Sequence, residues 1–233
     1  LEITFQRLQR RHGVDVEQGP PTIPYRETIT APAEGHHKHR KQSGGRGQFA
    51  EVYLRLVPRE HGAGYEFVDG VVGGAIPRQF IPDTDKGSRK FLAKGPLAGF
   101  PVVDVGVEVY DGKYHDVDSD SLSFQLAAER ACVDAFAKAR PILLEPFVNV
   151  VIHVPERFTG DVAGSLSTNR GRLSGMEVEN GIQRIQAQCP FSTMLDYSTQ
   201  LRSITAGEGS FSMRHSHYEP VPSHIQDAVV KRQ

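Results

Sequence analysis

Residues 142–218 constrain this chain most, because their segments follow one another as strand, helix, strand, strand, helix, strand. ILLEPFVNVVIHV reads as the first strand and TGDVAGSLSTNR as a helix; RLSGMEVE and IQRIQAQC read as paired strands, STMLDYSTQLRS as a second helix, GSFSMRHSHY as the last strand. A βαββαβ order whose crossovers must close right-handed suits a split βαβ, ferredoxin-like sandwich, with both helices on one face of an antiparallel sheet. The tail SHIQDAVVKRQ adds a helix with Ser223 as its N-cap and Ile225, Ala228 and Val229 on one side, a face that must dock somewhere.

The upstream half is a second α+β unit. Residues 1–12 are patterned as the end of a helix stopped by Gly13, and VDVEQ then alternates like a short strand. GPPTIP, with three prolines that can continue neither a helix nor a central strand, marks a boundary near residues 19–24. Strand patterns follow at YRETITA, HHKHRKQ, QFAEVYLRLVP, YEFVDGVV and PVVDVGVEVY, the third with Phe49, Val52, Leu54 and Leu56 alternating. Residues 77–94 carry Phe80, Ile81, Phe91 and Leu92 at helical spacing, and a longer helix follows residue 120, with Leu122, Leu126, Val133 and Phe136 expected as its buried stripe and Pro141 ending it. The chain opens on Leu inside a helical pattern with no cap before it, which reads as a fragment of a longer protein.

With 233 residues, 38% of them apolar, two separate cores are within reach. Lys and Arg number 27 against 28 acidic residues, so nucleic-acid affinity has to come from local charge rather than from the whole surface. Cys132 and Cys189 sit far apart in apolar-leaning segments, which excludes a disulfide scaffold and a cysteine zinc site and places both in the core. No apolar run approaches a membrane span and the start lacks a signal-peptide pattern, so a cytoplasmic protein is expected.

Local charge concentrates in HHKHRKQSGGRGQ, residues 36–48, where Lys38, Arg40, Lys41 and Arg46 accompany three histidines and no acid. Such a run fits phosphate contacts, its glycines letting backbone amides approach a nucleic-acid backbone; it equally fits a solvated strand edge guarded against aggregation. Gly45, Gly47 and Ala50 match a loose G-x-G-x-x-A pattern, but a strand follows where a dinucleotide fold needs a helix. Of His36, His37 and His39 only the last two share a strand face, and no further ligand completes a tetrahedral metal site. In the loop 111–120, His115 lies among Asp111, Asp116, Asp118 and Asp120. Either Asp118 or Ser119 caps the next helix, or His115 and an aspartate do acid/base chemistry; the absence of a nucleophile in the pattern makes a hydrolase the weaker idea. No G-x-x-x-x-G-K-[ST] loop occurs.

Read in order, YRETI (25–29), QSGGRGQF (42–49), YEFVDGVVGGAIP (65–77), GPLAGFPVVDV (95–105) and DGKYHDVDS (111–119) resemble the fourth domain of elongation factor G. LEPFVNVVIHVPE, TGDVAGSLSTNRGRLSGME and FSTMLDYSTQLRSITAGEGSF resemble its fifth, and residues 1–21 the end of its third, so the resemblance covers essentially the whole chain. It implies a remnant of the third domain at 1–22, a ribosomal protein S5 domain 2-like domain with a left-handed βαβ crossover at 23–141, a ferredoxin-like domain at 142–220, and a C-terminal helix at 221–233 packed back on the fourth domain. It further implies the ribosome- and tRNA-engaging portion of a monomeric, cytoplasmic factor that drives GTP-dependent translocation, GTP and Mg2+ being bound and hydrolysed outside this chain, which itself holds no cofactor or catalytic residue. By position, Ser43, Gly44, Gly45, Arg46, Gly47 and Gln48, with Lys113, Tyr114, His115 and Asp116, form the tip that meets tRNA and mRNA in the small-subunit decoding region. Lys38, Arg40, Lys41, Arg170 and Arg172 are further candidate ribosomal RNA contacts, the last two near the large-subunit GTPase-associated centre. The His- and Lys-rich strand, Ser165, and Glu208 where an arginine is frequent depart from the family pattern and leave room for a paralogue devoted to ribosome recycling or protection.

Overall fold

The computed structural model describes residues 2–14, 19, 21–42 and 47–231. Helix α1 (Glu2–His12) stops where Gly13, at φ 63°, turns left-handed and donates its N–H to the Gln9 carbonyl. Of the alternating stretch 14–18, only Val14 lies within the described residues.

The first sheet is built from β2 (Ala33–Lys41), β3 (Gln48–Pro58), β4 (Glu66–Asp69) and β5 (Val105–Lys113), in the order β2-β3-β5-β4. β3 pairs antiparallel with β2 and β5, whereas β4 runs parallel to β5 and is joined to it through α2 (Ile81–Ala93). Ala50, Val52, Leu54 and Leu56 alternate on one face with Val105, Val107 and Val109, and pack there against Phe91 of α2 and Phe124 and Phe136 of α3 (Ser121–Lys138). β5 starts later than its alternation predicts, at Val105, because Asp104 is held at φ 57° with its carboxylate accepting from the Gly62 and Gly64 amides.

The expected stripe on α3 is corrected. Leu122 and Val133 stay 47% and 40% exposed, and the buried face is Phe124, Ala127, Ala128, Ala131, Cys132, Ala135 and Phe136. Alanines carry it because β2 crosses so closely: a Cβ on Gly35 would stand 2.1 Å from the Ala131 carbonyl oxygen. The helix is capped by Asp120, which accepts from the Ser123 amide at 2.7 Å, and not by Asp118 or Ser119, whose side chains are engaged elsewhere.

The second sheet has β6 (Pro141–Pro155) at its centre, between β9 (Ser210–Pro220) and β8 (Ile182–Pro190), with β7 (Arg172–Glu179) outside β8, all antiparallel. Helices α4 (Thr159–Thr168) and α5 (Tyr197–Ile204) bury Val162, Leu166, Tyr197 and Leu201 against Val150, Ile152 and Ile185. This is the mixed α+β, ferredoxin-like arrangement expected. Ser165, buried in α4, places its hydroxyl 3.1 Å from that of Tyr197, and Glu208 pairs with Arg157.

The two sheets are linked through a strand. β1 (Arg26–Ile29) pairs antiparallel with the first residues of β6, from Arg26 opposite Leu144 to Ile29 opposite Pro141. Helix α6 (Ser223–Val230) lays Ile225, Val229 and Val230 in a small cluster with Leu97, Ala98, Phe100 and Leu143. Ser223 is its first helical residue and not its cap; Pro222, extended at ψ 141°, occupies that position and can offer no side-chain bond. No helix among the described residues is long and apolar enough to cross a membrane.

Candidate nucleic-acid interface

The two expected tip segments meet at one end of the first sheet. Residues Ser43, Gly44, Gly45 and Arg46 lie outside the described residues. Gly47 and Gln48, where the chain enters β3, are held by the turn after β5. The Gly47 amide donates to Asp118 Oδ1 at 3.1 Å, the Phe49 amide to the Asp118 carbonyl at 2.9 Å, and the Ser119 hydroxyl to the Phe49 carbonyl at 2.7 Å. A Cβ at Gly47 would stand 2.9 Å from the Asp118 carboxyl carbon, so a larger residue there has to push the Asp118 side chain aside. Asp118 and Ser119, read from the sequence as candidate helix caps, with Asp118 also among the aspartates around His115, therefore join the two segments.

The same turn fixes His115. Its amide donates to Ser119 Oγ at 2.9 Å, and its Nδ1 accepts from the Val117 and Asp118 amides at 3.3 and 3.2 Å. Asp118 Oδ2 is 3.6 Å from the same nitrogen, a contact that needs a proton on Nδ1. Two amide donors within hydrogen-bond range outweigh it and assign the neutral ring as the Nε2–H tautomer, with its donor turned away from the backbone. The side chain is 56% exposed. Beside it, Tyr114, His115 and Asp116 line one wall of an open cleft of about 460 Å³ whose other wall includes Gln79 and Phe80. The serine hydroxyls that line the cleft serve the fold, Ser119 as above and Ser121 by donating to Asp83 at 2.7 Å, so neither is poised as a nucleophile for His115.

Gln48, half-buried on the same face of the sheet as Ala50, accepts at Oε1 from His39 Nε2 at 3.0 Å, so its NH2 is the donor end of the side chain. On β2, Lys38, Arg40 and Lys41 are exposed and stand opposite Glu51, Phe49 and Gln48, while Lys113 is exposed at the end of β5. His37, on the inner face, has its pKa lowered from 6.5 by burial and by the charges of Arg130, His39 and His36, so near neutral pH it adds no charge to this end. In the second sheet Arg170 is taken up by Glu145 through two bonds of 2.7 and 2.8 Å, and Arg172 pairs with Glu219 while its guanidinium lies 5.0 Å over the Phe147 ring. Both candidate phosphate contacts thus have partners within the chain.

Residues 21–140 match the family model for elongation factor G, domain IV, and residues 142–229 the model for the elongation factor G C-terminus. An elongation factor G-like protein of Thermotoga maritima is 50% identical over 232 residues, and elongation factor G of Aquifex pyrophilus 45% identical over 230. Each match covers 99% of this chain but only 34% and 33% of those relatives, so the chain spans about a third of their length. A crystal structure from Thermus thermophilus shares the fold at a TM-score of 0.86 and 40% identity, over 99% of this chain and 34% of that one.

Proposed function

Since this chain belongs to the elongation factor G family, we propose that it is the ribosome-, tRNA- and mRNA-engaging part of a cytoplasmic translational GTPase acting in GTP-dependent translocation. The observation that carries this reading is the clasp of Asp118 and Ser119, which ties Gly47 and Phe49, on either side of Gln48, to the turn that bears the exposed His115 at one end of the first sheet. Backbone phosphates would be met by Lys38, Arg40, Lys41 and Arg46, and base edges or 2′-hydroxyls by the Gln48 amide and the His115 Nε2–H. His115 senses rather than catalyses, because its second nitrogen is occupied by backbone amides. GTP and Mg2+ would bind in the remainder of the parent, since this sequence has no G-x-x-x-x-G-K-[ST] loop. The unit of residues 142–220 would face large-subunit RNA, through surfaces other than Arg170.

A second reading is a paralogue serving ribosome recycling or protection, in line with the Thermotoga relative's being called elongation factor G-like and not elongation factor G. A translocation assay with the full-length factor separates the two, since such a paralogue fails it. In a factor that passes, His115→Ala is expected to slow single-turnover translocation by about tenfold, the scale of one lost base-directed hydrogen bond, with ribosome-stimulated GTP hydrolysis retained. Loss of hydrolysis with translocation per GTP unchanged contradicts the assignment.

A further inference from the structure

Helices α2 and α3 cover only one face of the first sheet, and the other face carries rings. Along β3 the outward residues are Phe49, Glu51, Tyr53 and Arg55, and the outward neighbours on β2 are His36, Lys38 and Arg40. On β5 the register shifts opposite Tyr53 and Leu54, a bulge that places Tyr110 and Asp111 on the same side, with the Tyr110 ring centre 6.4 Å from that of Tyr53. His36 stacks on Tyr53, ring centres 4.1 Å apart and planes 19° from parallel.

Glu51 fixes this stack. Its Oε1 accepts from His36 Nε2 at 2.9 Å and from the Tyr53 hydroxyl at 3.0 Å, so both rings are tied to one carboxylate. Burial works to raise the Glu51 pKa, but the bonds from His36 and Tyr53 and the charges of Lys113 and Lys38 outweigh it and hold the group below its ordinary 4.5, so it accepts both bonds as a carboxylate. Its side chain is 6% exposed, whereas that of His36 is 43% exposed, so the stack is anchored underneath and ends at solvent. Around it, Lys38 lies 5.5 Å over the Phe49 ring, Arg40 is exposed, and Lys113 sits 3.8 Å from Glu51 Oε2. Further from the loop end the charges are closed among themselves, Arg55 bridging Glu34 and Glu108. The exposed positive charge and the rings therefore coincide on the half of the face nearest the loops.

We propose that this outer face binds a single-stranded RNA segment, an unstacked base lying on the His36/Tyr53 pair and the flanking phosphates on Lys38, Arg40 and Lys113. Rings accept any base through its π-face, cations track the backbone, and a stack already ordered by Glu51 loses little freedom on binding. A double helix cannot use the site, because its bases are stacked on one another. The face adjoins the loop end, its Phe49 ring centre 6.4 Å from that of His115, and shares Lys38 and Arg40 with the function proposed above; the His36/Tyr53 stack belongs to this inference alone, and the test reads that stack.

The test is fluorescence anisotropy of the 233-residue chain with a short labelled oligouridylate over a range of salt. The expected result is salt-dependent binding that His36→Ala with Tyr53→Ala weakens by about tenfold or more at every salt, and that His36→Phe, which keeps a stacking ring, largely retains. Lys38→Ala with Arg40→Ala is expected to flatten the salt dependence, and Gln48→Ala with His115→Ala to weaken binding less than the His36/Tyr53 double variant does. Absence of binding by the wild-type chain, equal competition by duplex RNA or polyglutamate, or full-strength binding by the His36/Tyr53 double variant overturns the proposal. Loss of binding in the Gln48/His115 variant with the His36/Tyr53 variant intact assigns the RNA to the loop end and overturns it equally.

Discussion

The Arg170 guanidinium shows how a side chain that reads as a phosphate ligand is committed inside the fold. Glu145 is only 1% exposed and its charge is met by both forks of Arg170. Removing the arginine alone leaves a buried carboxylate unpaired, and Arg170→Met is expected to destabilise the chain by about 3 kcal/mol in urea unfolding. Replacing both residues by Met should recover most of that loss; a single variant as stable as the wild type contradicts the pairing. Asp83 predicts a pH dependence. Burial raises its pKa, but hydrogen bonds from Ser121, Lys86 and Gln125 outweigh burial and hold it below 3.8. A group depressed in the folded state contributes stability that is full above its unfolded value and is lost as pH falls through the folded one. Stability should therefore decline below about pH 4, and Asp83→Asn should lower stability at pH 7 while flattening that decline. An unchanged acid limb in the variant contradicts the role.

At the scale of elements, the contact between β2 and α3 is the tightest constraint. Gly35→Ala drives a methyl into the Ala131 carbonyl and is expected to cost about 2 kcal/mol of stability, read as a lower urea midpoint at unchanged slope. Asp120→Ala removes the α3 cap and should cost about 1 kcal/mol by the same measurement. Strands were legible wherever one face is buried, as at Ala50, Val52, Leu54 and Leu56, since alternation and burial then coincide. The stripe on α3 was not, because alanines carry it and the larger Leu122 and Val133 lie on the exposed flank. Nor was the bulge at Tyr110, which strand periodicity misses by construction, or the β1–β6 pairing, which joins residues more than a hundred positions apart. At the candidate site the basic strand and His115 could be picked out by composition and by resemblance. Asp118 and Ser119 could not, because a residue that bonds to a distant backbone amide, as Asp118 does, or carbonyl, as Ser119 does, looks in sequence like any helix cap.

Across the whole molecule, β6 and α6 connect the two sheets. β6 pairs with β1 at its start and with β8 and β9 beyond, while α6 sets Ile225 and Val229 against Leu97, Ala98 and Phe100. Ile225→Asp should uncouple the two units, so that one thermal transition becomes two; a single unshifted transition contradicts the coupling. Such a connection would let a force applied to one unit reposition the exposed end of the other, which is what a translocation factor requires. That Gln48 and His115 face tRNA and mRNA is the central claim. It is tested most directly by His115→Cys carrying a photo-crosslinker, in the full-length factor bound to ribosomes. The two native thiols of this chain do not compete for the label, since burial pushes Cys132 up to about 12 and Cys189 to about 11. Cross-links from position 115 to tRNA and mRNA in the small-subunit decoding region are the predicted result; cross-links confined to large-subunit RNA or protein contradict the account.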